Sequence, residues 1–142
     1  MKNLLSAHRA AVAVLVAYVI LALSYGAVNP PFEGSEERNQ FLYVRYLVEN
    51  RRLPVLKAGQ PSENHQPPLY YTLAALLTGW INPADFPSPV LQPNPFRGYR
   101  YWEVGVDNKN QYLHGPWDDP RYSPTALAVR LIRGLSALFG VC

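Results

Sequence analysis

Thiol chemistry is almost absent from this chain of 142 residues: the single cysteine, Cys142, is the last residue, so no internal disulfide can form. Charge is also scarce, at 16% of residues, and the net balance is only +3. The arginines and lysines are scattered among acids and prolines, with no basic stripe, no zinc-ligand spacing and no aromatic RNA-binding signature, which sets nucleic acid aside as a partner. No internal repeat or low-complexity segment occurs. With cysteine uninformative, the compartment has to be argued from hydropathy.

What the chain does have is proline and apolar surface. Fourteen prolines stand against nine glycines, most of them between Pro54 and Pro124, and each removes an N–H donor and crowds the preceding turn, so long helices are not expected there. Hydrophobic residues make up 49% of the chain, concentrated near the two ends and in one central patch. That distribution argues against a simple soluble globule, although the length permits one ordinary domain.

Residues 10–28, AAVAVLVAYVILALSYGAV, carry no charge, and a run of about 19 apolar residues is enough to cross the hydrocarbon core as a helix. Lys2 and Arg9 precede it, so the positive-inside tendency keeps residues 1–9 as a cytoplasmic tail and places residues 29–124 outside. A cleaved secretory signal is the competing reading, with Ala22-Leu23-Ser24 as a small-residue cleavage site.

The exit from that run, NPPFEGSEERNQFLYVRYL, presents Glu33, Glu36 and Glu37 just before an aromatic stretch. The spacing of Phe41, Tyr43, Val44, Tyr46, Leu47 and Val48 predicts a helix over 36–50. Ser35 is placed to cap it, and Glu36 and Glu37 fall in the first turn, where the helix dipole favours negative charge. Pro67-Pro68 is suited to opening a second helix over 69–81, apolar nearly all round but too short to span a bilayer, hence interfacial or packed on partner helices. Residues 82–124 show no sustained period and read as a long loop. Ser123 and Pro124 then start a helix with the stripe Leu127, Leu131, Leu135 and Leu138, read as the start of a second membrane helix over 125–142 in a longer multi-pass protein.

The order of these pieces resembles the start of a membrane glycosyltransferase of the GT-C superfamily, in the branch of protein O-mannosyltransferases and bacterial aminoarabinose transferases of lipid A. There a first membrane helix leads into a large extracytoplasmic loop opening on an acidic pair, often P-D-E-x-x-H. The matching stretch here is Ser35-Glu36-Glu37-Arg38-Asn39-Gln40. The resemblance continues through YVRYLVENRRLPV (43–55), HQPPLYYTLAALLTGW (65–80), DNKNQYLHGP (107–116) and LAVRLIRGLSALFG (127–140).

The resemblance implies transfer of a sugar from a polyprenyl-phosphate carrier to an acceptor on the outer face of the membrane. Such chemistry needs a base for the acceptor proton and cations or a metal for the departing phosphate. Glu36, the motif match, and Glu37 are the candidate bases. Arg45, Arg51, Arg52 and Lys57 are candidates for the phosphate, since guanidinium binds phosphate through paired donors. Gln66 and Tyr70 join them as substrate-binding candidates in the QPPLYY segment. A divalent metal is the one cofactor this chemistry suggests, with His65 and His114 as its weak ligand candidates.

Each of these residues also has a plainer role available. The acids can simply complement the helix dipole, and the basic set can face anionic lipid. Tyr70, Tyr71, Trp80, Tyr99, Tyr101, Trp102 and Trp117 can act as interfacial anchors rather than sugar platforms. Arg130 and Arg133, three apart on one face of the last helix, can meet the same loop or phosphates, or simply snorkel to the interface.

The expected protein is therefore an all-α membrane protein: one N-terminal transmembrane helix, a large extracytoplasmic loop with short interfacial helices, and the start of a second span. Its expected partners are the lipid bilayer, a lipid-linked sugar donor and the remaining membrane helices, without which the isolated chain is expected to be inactive. A membrane-anchored or secreted binding module without chemistry is the alternative.

Overall fold

In the computed structural model, residues 2–55, 65–98 and 108–141 are described, and among them the chain is all-helical with no strand. Four α-helices follow in order: α1 (Lys2–Val28), α2 (Glu37–Asn50), α3 (Pro68–Thr78) and α4 (Pro124–Phe139).

Helix α1 starts earlier than the apolar run and carries the expected tail, residues 2–9, as helix. Within it His8–Val28 has a mean hydropathy of 2.3 and none of its most apolar window buried. By length and composition this helix is long and apolar enough to cross a membrane.

Helix α2 begins at Glu37, and Ser35 does not cap it. Glu36 occupies the N-cap position and makes no side-chain cap bond, while exposed Ser35 lies one residue too early in the turn. The helix ends on Arg51, whose φ of 51° is left-handed and whose N–H returns to Leu47 O, a common helix termination. Its inner face holds Phe41, Tyr43, Val44 and Leu47.

Helix α3 opens on Pro68 as expected, after Pro67 in an extended conformation. It stops at Thr78 rather than continuing to Ile81, because Gly79 ends the turn and Ile81 peels away into the core. Tyr71 and Ala74 are buried, and Tyr71 stacks on Tyr43 with ring centroids 4.2 Å apart. Tyr71 is thus a core residue and not an interfacial anchor. The opposite face, with Leu69 and Leu76, is exposed, as is Trp80 just beyond the helix.

Helix α4 is capped by Ser123, whose Oγ accepts from Ala126 N at 2.9 Å. Asp85 reinforces this end: it accepts from Ser123 Oγ, from Thr125 Oγ1 at 2.6 Å and from Thr125 N at 3.2 Å. An anion at a helix N-terminus meets both free N–H groups and the positive end of the dipole. Thr125, Ala126, Ala128 and Val129 form the buried face of α4, with Leu127, Leu131 and Leu135 packed beside it, whereas Leu138 at the end of the expected stripe is exposed.

Two apolar clusters hold these parts together. Phe32, Phe41, Ile81, Val90, Ala128 and Val129 form one, and Tyr43, Val44, Leu47, Tyr71 and Ala74 the other. The loop after α3 is tied by isolated bridges between Pro93 and Tyr112 and between Gly98 and Asn108, and by a 3-10 turn at Pro116–Asp118.

Helix α4 lies antiparallel to α1. Arg133 meets the carbonyls of Gly26 and Asn29, and one turn further on Ala137 O accepts from Tyr18 Oη at 3.3 Å. A Cβ on Gly140 would collide with the Tyr18 hydroxyl, so the two helices keep close approach to the end of α4. Among the described residues only α1 has the length and composition of a span; α4 is amphipathic and carries Arg130 and Arg133.

Candidate functional site

The three carboxylates at the end of α1 have three different fates. Glu33 turns toward the distal loop, where its carboxylate accepts from Gln111 N at 2.8 and 2.9 Å, from Tyr112 N at 3.1 Å, and lies 2.9 Å from His114 Nε2. Glu37 turns toward α4 and closes a two-point ion pair with Arg133, Nε to Oε1 at 2.5 Å and Nη2 to Oε2 at 2.8 Å. Glu36 remains exposed, and among the described residues the one side chain that donates to its carboxylate is Asn39, from Nδ2 at 3.4 Å.

Arg133 carries the junction. Besides Glu37 it donates from Nη1 to Gly26 O at 3.1 Å and Asn29 O at 2.6 Å, and from Nη2 to Pro30 O at 2.8 Å. A guanidinium at a helix C-terminus satisfies carbonyls that have no partner within the helix and complements the negative end of the dipole. Arg133 therefore neither snorkels to an interface nor stands free for phosphate.

The chain turns sharply here. Phe32 has a φ of 67°, a left-handed conformation uncommon for a bulky residue. Two features offset that cost: its N–H donates to Glu37 Oε2 at 2.6 Å, and its ring is buried 5.3 Å from Phe41 and 6.0 Å from Phe86. The Glu37 carboxylate thus holds the exit turn and α4 at once.

His114 sits between two acids. Its Nε2 faces Glu33, and its Nδ1 lies 3.2 Å from Asp118 Oδ2 but off the line of a hydrogen bond, so that Nδ1 is buried without a partner. Asp118 in turn accepts from Gly115 N at 2.8 Å. Among the described residues no group of three His, Cys, Asp or Glu side chains is arranged to hold a metal ion, and His65 is remote from His114 in sequence and exposed.

Of the described substrate-binding candidates, Tyr70 shares a cavity with Glu37. Its hydroxyl is 2.6 Å from Ser136 Oγ, and together with Glu37 and Gln40 it lines a cavity of about 320 Å³ between α1, α2 and α4. Burial raises the Tyr70 pKa, the Ser136 hydrogen bond acts against it, and the nearby Glu37 charge raises it further.

The basic candidates lie elsewhere. Arg45 bonds Glu49 one turn along α2, from Nε at 3.1 Å and Nη2 at 2.5 Å, and stacks 4.9 Å over Phe86. Exposed Arg51 and Arg52 line a separate hollow between α2 and α3 with Leu47, Thr72 and Leu76. Gln66 is half-buried just ahead of α3. Lys57 lies outside the described residues, as do Tyr99, Tyr101 and Trp102.

A larger cavity of about 740 Å³ opens on the other side of the junction, with Ala22, Leu23 and Ala27 of α1, Arg130, Gly134 and Ala137 of α4, and the loop residues Asp118, Asp119 and Arg121. There the Arg121 guanidinium binds Asp119 and holds its carboxyl at about 2.

Sequence reasoning named Glu36, Glu37 and Tyr70 as candidates without their partners, and the structure brings Glu37 and Tyr70, but not Glu36, to one cavity. Sequence reasoning missed Glu33 as the anchor of the distal loop and Arg133 as the counter-ion of Glu37. The only available signals were an unpaired acid beside the turn and an arginine in an apolar helix. Comparison with protein-family models, with curated proteins and with solved structures finds no match.

Proposed function

We propose that this chain is the N-terminal part of a multi-pass glycosyltransferase that moves a sugar from a polyprenyl-phosphate carrier to an acceptor on the outer face of the membrane. α1 is its first span, with residues 29–124 outside, and α4 begins its second. The observation that carries the reading is the division of labour in the acidic pair. Glu37 is fixed by Arg133 beside the end of α1, and its neighbour Glu36 is left exposed at the same level.

In this reading Glu36 is the base. It takes the proton of the acceptor hydroxyl as that oxygen attacks the anomeric carbon, and the bond from that carbon to the phosphate oxygen breaks, releasing the polyprenyl phosphate. Glu37 positions it, since a base displaced by about 1 Å can lose on the order of a hundredfold in rate.

Retention of α1 is supported by its use in the fold. Cleavage after Ser24 would remove Tyr18, which reaches Ala137, and would free the carbonyl-bearing end that Arg133 binds. Entry of α4 into the bilayer is supported by its antiparallel course along α1 and by the exposed Leu138, Phe139 and Val141 at its end.

One observation favours the alternative of a non-catalytic membrane-anchored module. Arg45, Arg51 and Arg52 lie apart from Glu36, in contact with Glu49 and Phe86 or beside α3, so the leaving phosphate would need cations from elsewhere in the complete protein. Membranes containing the complete protein decide between the two: release of polyprenyl phosphate with sugar appearing on an acceptor supports the transferase, and binding of sugar or lipid without turnover supports the module.

A further inference from the structure

Among the described residues, two buried side-chain nitrogens lack a hydrogen-bond partner: His114 Nδ1 in the distal loop and Arg130 Nη1 in α4. One carboxylate stands beside both. Asp118 Oδ2 lies 3.2 Å from His114 Nδ1, off the line of a hydrogen bond. The Asp118 side chain also lines the cavity of about 740 Å³ together with Arg130 and interacts electrostatically with it. A buried donor without an acceptor is costly, so two such nitrogens around one carboxylate call for a physical reason.

The neighbouring contacts supply it. His114 Nε2 is 2.9 Å from Glu33 Oε1, so a single proton on the imidazole is drawn to that side and leaves a lone pair on Nδ1 facing the Asp118 carboxylate. A second proton turns the same atom into a donor. Gly115 N already uses Asp118 Oδ2, at 2.8 Å, so closure of that oxygen on Nδ1 keeps the Gly115 bond, whereas a turn of the carboxylate toward Arg130 gives it up. Of the other charged groups that line this cavity, Asp119 and Arg121 bind each other, and Arg133 binds Glu37.

We propose that Asp118 is a proton-controlled switch between the distal loop and α4. With His114 doubly protonated, Asp118 closes on Nδ1, and the imidazolium bridges Glu33 of the exit turn to the turn at Pro116–Asp118. With His114 neutral, the Nδ1 lone pair repels the carboxylate, and Asp118 turns to the free Arg130 Nη1, drawing the loop toward α4 across the mouth of the cavity. A histidine changes charge between about pH 5 and 8, so low pH sets the first arrangement and high pH the second. The switch depends neither on sugar transfer nor on insertion of α1 in a membrane.

The test follows hydrogen exchange at the Gly115 amide of the full chain in detergent micelles across the same pH range, corrected for intrinsic exchange chemistry, with the imidazole nitrogen shifts of His114 read in parallel. As pH rises, Gly115 exchange is expected to accelerate by about tenfold, the loss of one hydrogen bond to a charged group, along the same curve as the His114 shifts. Arg130→Gln removes the second partner and is expected to abolish that step while His114 still titrates. Asp118→Asn removes the charge that answers the imidazole and is expected to flatten the step as well.

Gly115 exchange with no step beyond the intrinsic dependence overturns the proposal. So does a step that survives unchanged in Arg130→Gln or Asp118→Asn, or one that departs from the His114 curve. If either variant loses helicity, the wild-type step and its coincidence with the His114 shifts decide the matter.

Discussion

Arg133 and Glu37, 96 positions apart, form a bidentate ion pair at the point where α1 ends, and the same guanidinium binds the carbonyls of Gly26 in the last turn of α1 and of Asn29 just after it. One side chain of α4 thereby joins the end of α1, the exit turn and the start of α2.

Removing that side chain leaves a half-buried carboxylate and several uncapped carbonyls. Arg133→Ala is expected to destabilise the fold by about 3–5 kcal/mol, the usual cost of breaking a largely buried pair from one side. Arg133→Lys is expected to recover only part, because an ammonium cannot reach both carboxylate oxygens and the carbonyls together. Thermal unfolding of the chain in detergent, followed by helicity, measures both.

Glu33 is expected to govern the distal loop alone. In Glu33→Ala the amides of Gln111 and Tyr112 lose their acceptor, and His114 loses the carboxylate at its Nε2. Hydrogen exchange at residues 111–114 should accelerate by at least about tenfold, as follows from losing charge-assisted bonds of about 1.5–3 kcal/mol, while α2 amides remain unchanged. Equal acceleration in α2 would show that Glu33 supports the whole junction.

The pair of Asp119 and Arg121 gives a pH signature. The Asp119 carboxyl is held at about 2 by hydrogen bonds and charge from Arg121, below the roughly 3.9 of an unfolded aspartate. A depressed carboxyl favours the fold above the unfolded value, and that contribution fades as pH falls toward 2. Carboxyl carbon shifts should place the Asp119 midpoint near 2, and Arg121→Gln should return it to about 4. A midpoint unaffected by the substitution would remove Arg121 as the cause.

Much of this architecture was legible in local pattern. The apolar run gave α1, Pro68 gave the start of α3, and Ser123-Pro124 gave the capped start of α4, because each depends on neighbours in sequence. The cap of α2 was misplaced at Ser35, since the turn is set by Phe32, whose left-handed backbone is stabilised by Glu37 and aromatic burial. Tyr71 read as an interfacial aromatic but is buried on Tyr43, a pairing between helices that periodicity within one helix cannot reveal.

The acidic site was half legible for the same reason. Three carboxylates at a helix exit look alike in sequence, and only their distant partners, Arg133 for Glu37 and the 111–114 segment for Glu33, separate them. Glu36, which has no such distant partner among the described residues, is the one the proposed chemistry needs. Arg45 points away because the inner face of α2 is taken by Phe41, Tyr43, Val44 and Leu47, and Arg51 and Arg52 lie past the end of that helix.

The measurement that tests the account most directly is sugar transfer from a polyprenyl-phosphate donor by membranes containing the complete protein, compared between wild type, Glu36→Gln and Glu37→Gln. With expression and helicity equal, Glu36→Gln is expected to lower turnover by on the order of 10²–10⁴-fold, the range for loss of a general base. Glu37→Gln is expected to lower thermal stability as well as turnover. Full turnover in Glu36→Gln would contradict the account and return Glu36 to the role of an exposed first-turn acid.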